Sequence, residues 1–92
     1  MGWLPNSGNR VQHCIGRFID EMGGIITVFM INAKKNTVAV MVLSSNEEAF
    51  INSPYFISDA LIKKGYLRGR KVAWYTFDLT RFLSGIKERG LC

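Results

Sequence analysis

Ile25-Ile26-Thr27-Val28-Phe29-Met30-Ile31, then Asn32-Ala33-Lys34-Lys35-Asn36, then Thr37-Val38-Ala39-Val40-Met41-Val42-Leu43: the reading of this stretch decides the fold. Two runs of β-branched and large apolar residues flank five polar, turn-prone ones, which is the pattern of an antiparallel hairpin. Both runs are apolar at odd and even positions alike. Strands of that kind are covered on both faces, or turn one face to another chain. Neither run approaches the ~20 residues needed to span a bilayer.

Working outward, Val11, Cys14, Ile15, Phe18, Ile19 and Met22 recur at steps of three and four. This predicts an amphipathic helix over 10–22, stopped by Gly23-Gly24. Residues 1–9 carry Gly, Pro, Asn and Ser around Trp3 and read as an irregular leader, with Trp3 free to fold back onto the body. After the hairpin, Ser45-Asn46-Glu47-Glu48 fits a capping box, which predicts a short helix over 46–52. Ser53-Pro54 then restarts a helix running to Lys64, with Gly65 as its stop. An extra strand edge around Tyr66–Leu67 is the alternative there. Lys71–Phe77 reads as a third strand, with Val72, Trp74 and Thr76 on one face and Ala73, Tyr75 and Phe77 on the other. Asp78 or Thr80 caps a last helix whose stripe is Phe82, Leu83 and Ile86, and Gly90 ends it. The order α-β-β-α-β-α predicts an α+β fold, a hairpin plus a third strand with helices packed on the sheet, in a single domain over 10–92.

A chain of 92 residues holds one core. Apolar residues make up 48% and charged residues 21%, the reverse of a disordered composition. Twelve Lys and Arg stand against seven Asp and Glu, a formal charge of +5. That balance favours an anionic partner: nucleic acid, an acidic protein face or a lipid surface. Two cysteines are too few for a disulfide-framed secreted domain, and no Cys or His spacing suits zinc. Cys14 reads as a buried thiol and the compartment as a reducing cytoplasm. No secretory leader is evident at residues 1–10, and Asn6 stands where a myristoylation signal needs Ser or Thr.

No hydrolase, P-loop, zincin or EF-hand spacing occurs, so the chain reads as a non-catalytic protein without metal or cofactor. Its single histidine, His13, and its neighbour Cys14 point about 100° apart on a helix and cannot meet as a dyad. Glu47 and Glu88 read as solvated surface. The sharpest feature is basic. Lys63, Lys64, Arg68, Arg70 and Lys71 are five of the 12 cations within nine residues, with no acid among them. Tyr66 lies inside this cluster, and Trp74 and Tyr75 follow on the strand, where at most one of the two is free. Cations beside exposed aromatics suit phosphate contacts with base stacking by Tyr66 or Trp74. Lys34 and Lys35 at the hairpin tip add a second positive point.

Ile15-Gly16-Arg17-Phe18-Ile19-Asp20-Glu21-Met22-Gly23 resembles the helix signature of LAGLIDADG homing endonucleases, with matches at Phe18, Ile19, Asp20 and Gly23 and a hairpin following. The family's metal-binding acid falls at Met22, and Arg17 replaces a small residue. The resemblance therefore implies DNA binding as a dimer without cleavage. Leu61-Ile62-Lys63-Lys64-Gly65-Tyr66-Leu67 with Trp74-Tyr75-Thr76 looks like the end of a recognition helix and the wing of a winged-helix domain. The expectation is nucleic-acid binding, to DNA or RNA, through residues 63–71, Lys34, Lys35 and Trp74. The alternative is a protein-interaction module, an inhibitor or adaptor, docking an acidic partner. Pairing of two copies would cover the spare apolar surface, and no membrane partner is expected.

Overall fold

The computed structural model describes residues 5–91, with side chains from Arg10 onward. The expectations for Trp3 and for the first four residues fall outside that range. Helix α1 spans Pro5–Glu21, strands β1 and β2 span Ile26–Asn32 and Thr37–Leu43, and a 3-10 turn at Ser44–Asn46 leads into α2, Glu47–Ile51. Strands β3 and β4 span Leu61–Leu67 and Arg70–Asp78, and α3 spans Leu79–Glu88. All strand pairs are antiparallel and the sheet order is β1-β2-β4-β3. The class is α+β, as the hairpin pattern requires, with one strand more than the periodicity indicated.

That extra strand is the main departure. Residues 61–67 form β3 and not the end of a helix. The cause lies in the next two residues, where Arg68 and Gly69 hold φ of 52° and 80°. Two consecutive left-handed residues make the tight turn whose twist matches a hairpin. Pairing with the strongly strand-forming Val72–Phe77 then outweighs the helical spacing of Leu61, Ile62 and Gly65. The winged-helix likeness loses its recognition helix by the same fact.

Other local expectations are corrected in smaller ways. Helix α1 begins at Pro5, ahead of residue 10, with proline in the first turn where its missing N–H is not needed. The capping box does not form: Asn46 is the N-cap of α2 and makes no side-chain cap bond. Its Nδ2 donates instead to the carbonyls of Gly24 and Ile25, tying α2 to the start of β1. Asp78 does cap α3, accepting from the Arg81 amide at 3.0 Å. Cys14 is 4% exposed but disulfide-bonded, which corrects its reading as a thiol. The other cysteine in the sequence, Cys92, lies outside the described residues. A disulfide persists in oxidising surroundings, so the cysteine count no longer argues for a reducing compartment.

One face of the sheet carries the core. Val38, Val40 and Val42 from β2 and Ala73, Tyr75 and Phe77 from β4 are buried there with Phe18 and Met22 of α1 and Phe82 and Ile86 of α3. Phe18 packs edge-on against Phe82 with centroids 4.9 Å apart, and Phe50 of α2 meets Tyr75 at the same separation. The 52–60 segment closes this side, with Phe56 against Tyr75 and Phe77. Ile57 is seated beside Gly85 of α3, whose missing side chain leaves it room. The three helices of the described residues therefore lie on one layer. Among the described residues no helix lies over the second sheet face, where Met41 and Val72 are nonetheless buried at its centre and Met30 of β1 is 54% exposed. No helix among the described residues is long and apolar enough to cross a membrane.

Candidate nucleic-acid interface

The pleat divides the basic cluster. Register pairs Lys63 with Trp74, Gly65 with Val72 and Leu67 with Arg70, and it pairs Lys64 with Ala73 and Tyr66 with Lys71. Ala73 and Tyr75 belong to the core side. Strand alternation therefore puts Lys63, Leu67, Arg70 and Trp74 on the open face, and Lys64, Tyr66 and Lys71 on the helix-side rim. Arg68 sits at the turn between them. The five cations that are neighbours in sequence thus form two surfaces joined at a hairpin tip.

All five cations are exposed, and Tyr66 is 69% exposed. Lys64 is paired with Glu47 at 3.5 Å. Among the described residues, no carboxylate lies within ion-pair distance of Lys63, Arg68, Arg70 or Lys71. Trp74 is half-buried on the open face, while Tyr75 is 1% exposed on the core face. The expectation that at most one of this pair is free is met, with Trp74 the accessible ring.

Lys34 and Lys35 lie at the other end of the sheet. Thr37 of β2 pairs with Asp78 of β4, and Leu43 with Val72, so the two hairpin tips point in opposite directions. They are separated by the length of β2, about 20 Å for a seven-residue strand. The turn is fixed at both sides. The Lys35 amide donates to Asn32 Oδ1 at 3.1 Å. Asn36, at φ 52°, donates through Nδ2 to Asp78 Oδ1 and Thr80 Oγ1. Beside this tip the open face holds a shallow hollow of about 550 Å³ that includes Met30, Lys34, Lys35, Thr37 and Thr76 in its lining. Lys34 and Lys35 therefore share the open face with Lys63 and Arg70, and the helix-side cations do not join them.

Glu47 is a feature that sequence reading missed. It is not solvated surface: its side chain is 15% exposed. It accepts a hydrogen bond from the Tyr75 hydroxyl at 2.6 Å as well as pairing with Lys64. Burial and then this bond hold the Tyr75 hydroxyl well above its ordinary value of 10.0. The contact has no local signal, because it joins residues 28 apart. Its effect is to anchor the rim of β3 and β4 to α2.

Among the described residues no group of three His, Cys, Asp or Glu side chains is placed to hold a metal ion. Met22, at the position of the homing endonucleases' metal-binding acid, is 1% exposed and offers no oxygen. Neighbouring Glu21 is occupied by the Tyr55 hydroxyl at 3.1 Å. These residues do not fit the metal that the resemblance would bring. Comparison with protein-family profiles, with curated proteins and with solved structures finds no match.

Proposed function

We infer that this protein binds nucleic acid, without cleaving it, across the open face of its sheet. The observation that carries the reading is the helix-free face with cations at both ends: Lys34 and Lys35 at one hairpin tip, Lys63, Arg68 and Arg70 towards the other. Phosphate contacts of this kind are independent of sequence and release counterions, so they confer affinity that falls with salt. Trp74 lies between the two ends, on the same face as Lys63. It offers a flat ring to a base or sugar, at a position where stacking contributes roughly 1–3 kcal/mol per base. Lys64, Tyr66 and Lys71 face the other way and are left as secondary contacts at the rim.

The α1 signature resembling LAGLIDADG helices, followed by its hairpin, favours double-stranded DNA and a pair of copies within this reading. The alternative, an interaction module for an acidic protein, draws on the same charges. Charge reversal separates the surfaces. Lys63→Glu with Arg70→Glu should remove most binding to a labelled duplex measured by fluorescence anisotropy. Lys64→Glu with Lys71→Glu should leave more of it. Equal loss from both pairs would show that the open face is not the binding surface.

A further inference from the structure

Strand β3 is an edge strand in which all seven residues are exposed. Leu61 is 76% exposed and Ile62 is 53% exposed. The two-residue turn fixes which backbone groups are free. Leu67 and Arg70 flank that turn and form a hydrogen-bonded pair, so Gly65–Val72, Lys63–Trp74 and Leu61–Thr76 are the other pairs of that type. The amides and carbonyls of Ile62, Lys64 and Tyr66 consequently point away from β4. Among the described residues they form a ladder of unpaired donors and acceptors along the free edge.

A ladder of this kind is matched by another extended polypeptide and not by a nucleic acid. Natural edges are commonly blunted by lysine, and β3 carries Lys63 and Lys64 at its centre. The block is selective. In the antiparallel register that pairs all seven residues of two copies, Lys64 would stand directly opposite Lys64, where like charges are unfavourable. An incoming strand with acidic residues at two adjacent central positions turns the same lysines into attraction, one on each face. Glu47 takes only one side of Lys64, whose side chain remains 68% exposed. Ile62 and Tyr66 flank the centre with apolar surface for the residues on either side.

We propose that the free edge of β3 accepts an extended acidic segment of a partner protein as a fifth strand, hydrogen-bonded to Ile62, Lys64 and Tyr66. The surface is the backbone edge, which shares Lys63 with the open face, and the amide-exchange map of Ile62, Lys64 and Tyr66 tests it separately from nucleic-acid binding. The probe is a dye-labelled peptide about as long as β3, with two central glutamates between valine and threonine residues. Anisotropy should show binding, and replacing the two glutamates by lysine should weaken it by at least roughly tenfold. Amide exchange at Ile62, Lys64 and Tyr66 should slow on adding the acidic peptide. Ile62→Pro removes one outward N–H without touching the ladder to β4 and should weaken binding by a similar factor. Should that variant misfold, the exchange map of the unaltered protein still decides. Overturning results are absence of binding at low salt, protection at other amides only, equal binding of the lysine peptide, or concentration-dependent protection of the same amides by a second copy.

Discussion

Tyr75 and Trp74 are adjacent and chemically similar, yet one belongs to the core and the other to the surface. Alternation along β4 assigns opposite faces, and the sequence shows that much; which face is covered depends on helices far away in the chain. The Tyr75 hydroxyl is tied to Glu47, so Tyr75→Phe should cost about 1–3 kcal/mol, read as a lower urea midpoint. The pH dependence has a definite sign. The hydroxyl titrates higher in the folded state than its ordinary 10.0. Its contribution is therefore fully present below pH 10 and is lost as pH rises beyond it. Tyr55, which donates to Glu21, is shifted upward too, first by that bond, so the difference between the wild type and Tyr75→Phe is the informative quantity. That difference should shrink above pH 10; a difference unchanged to higher pH would contradict the assignment. Phe18, 1% exposed, is in ring contact with Phe29 and Phe82 and anchors α1 in the core. Phe18→Ala should cost about 3–5 kcal/mol by thermal or urea unfolding.

Among the elements, the β3–β4 hairpin joins stability to the proposed function. Arg68 holds a left-handed conformation that asparagine tolerates better at the first position of such a turn. Arg68→Asn should raise stability by about 0.5–1 kcal/mol while weakening nucleic-acid binding and lowering its salt dependence, by about one phosphate contact. Opposite movement of the two quantities is the expected signature, and unchanged binding would remove the tip from the interface. Elements with strong internal signals were legible: α1 from its stripe, the β1–β2 hairpin from its two apolar runs, α3 from Asp78 and Gly90. β3 was not, because Leu61–Leu67 carries a helix-like spacing and lysines that suit a helix end. Its strand character comes from its partner β4 and from the Arg68–Gly69 turn, which are tertiary and turn-level facts. The capping box at Ser45–Glu48 misled for the same kind of reason: Asn46 is committed to Gly24 and Ile25, a long-range bond that local pattern does not contain.

For the molecule as a whole, the α+β class followed from periodicity, and the basic segment was visible as a run of five cations. What the sequence could not contain is their division. Pleat and register send Lys63 and Arg70 to the open face and Lys64, Tyr66 and Lys71 to the rim, and they set Lys34 and Lys35 at the far end of the open face. An interface assembled this way is electrostatic and extended, so its affinity should depend on ionic strength more than on base sequence. The most direct test is fluorescence anisotropy with labelled single- and double-stranded DNA and RNA, titrated at low and near-physiological salt. The account predicts binding at low salt whose logarithm falls linearly with the logarithm of salt concentration, with a slope reduced in the Lys63→Glu, Arg70→Glu variant. No binding at low salt, or binding indifferent to salt, would contradict it.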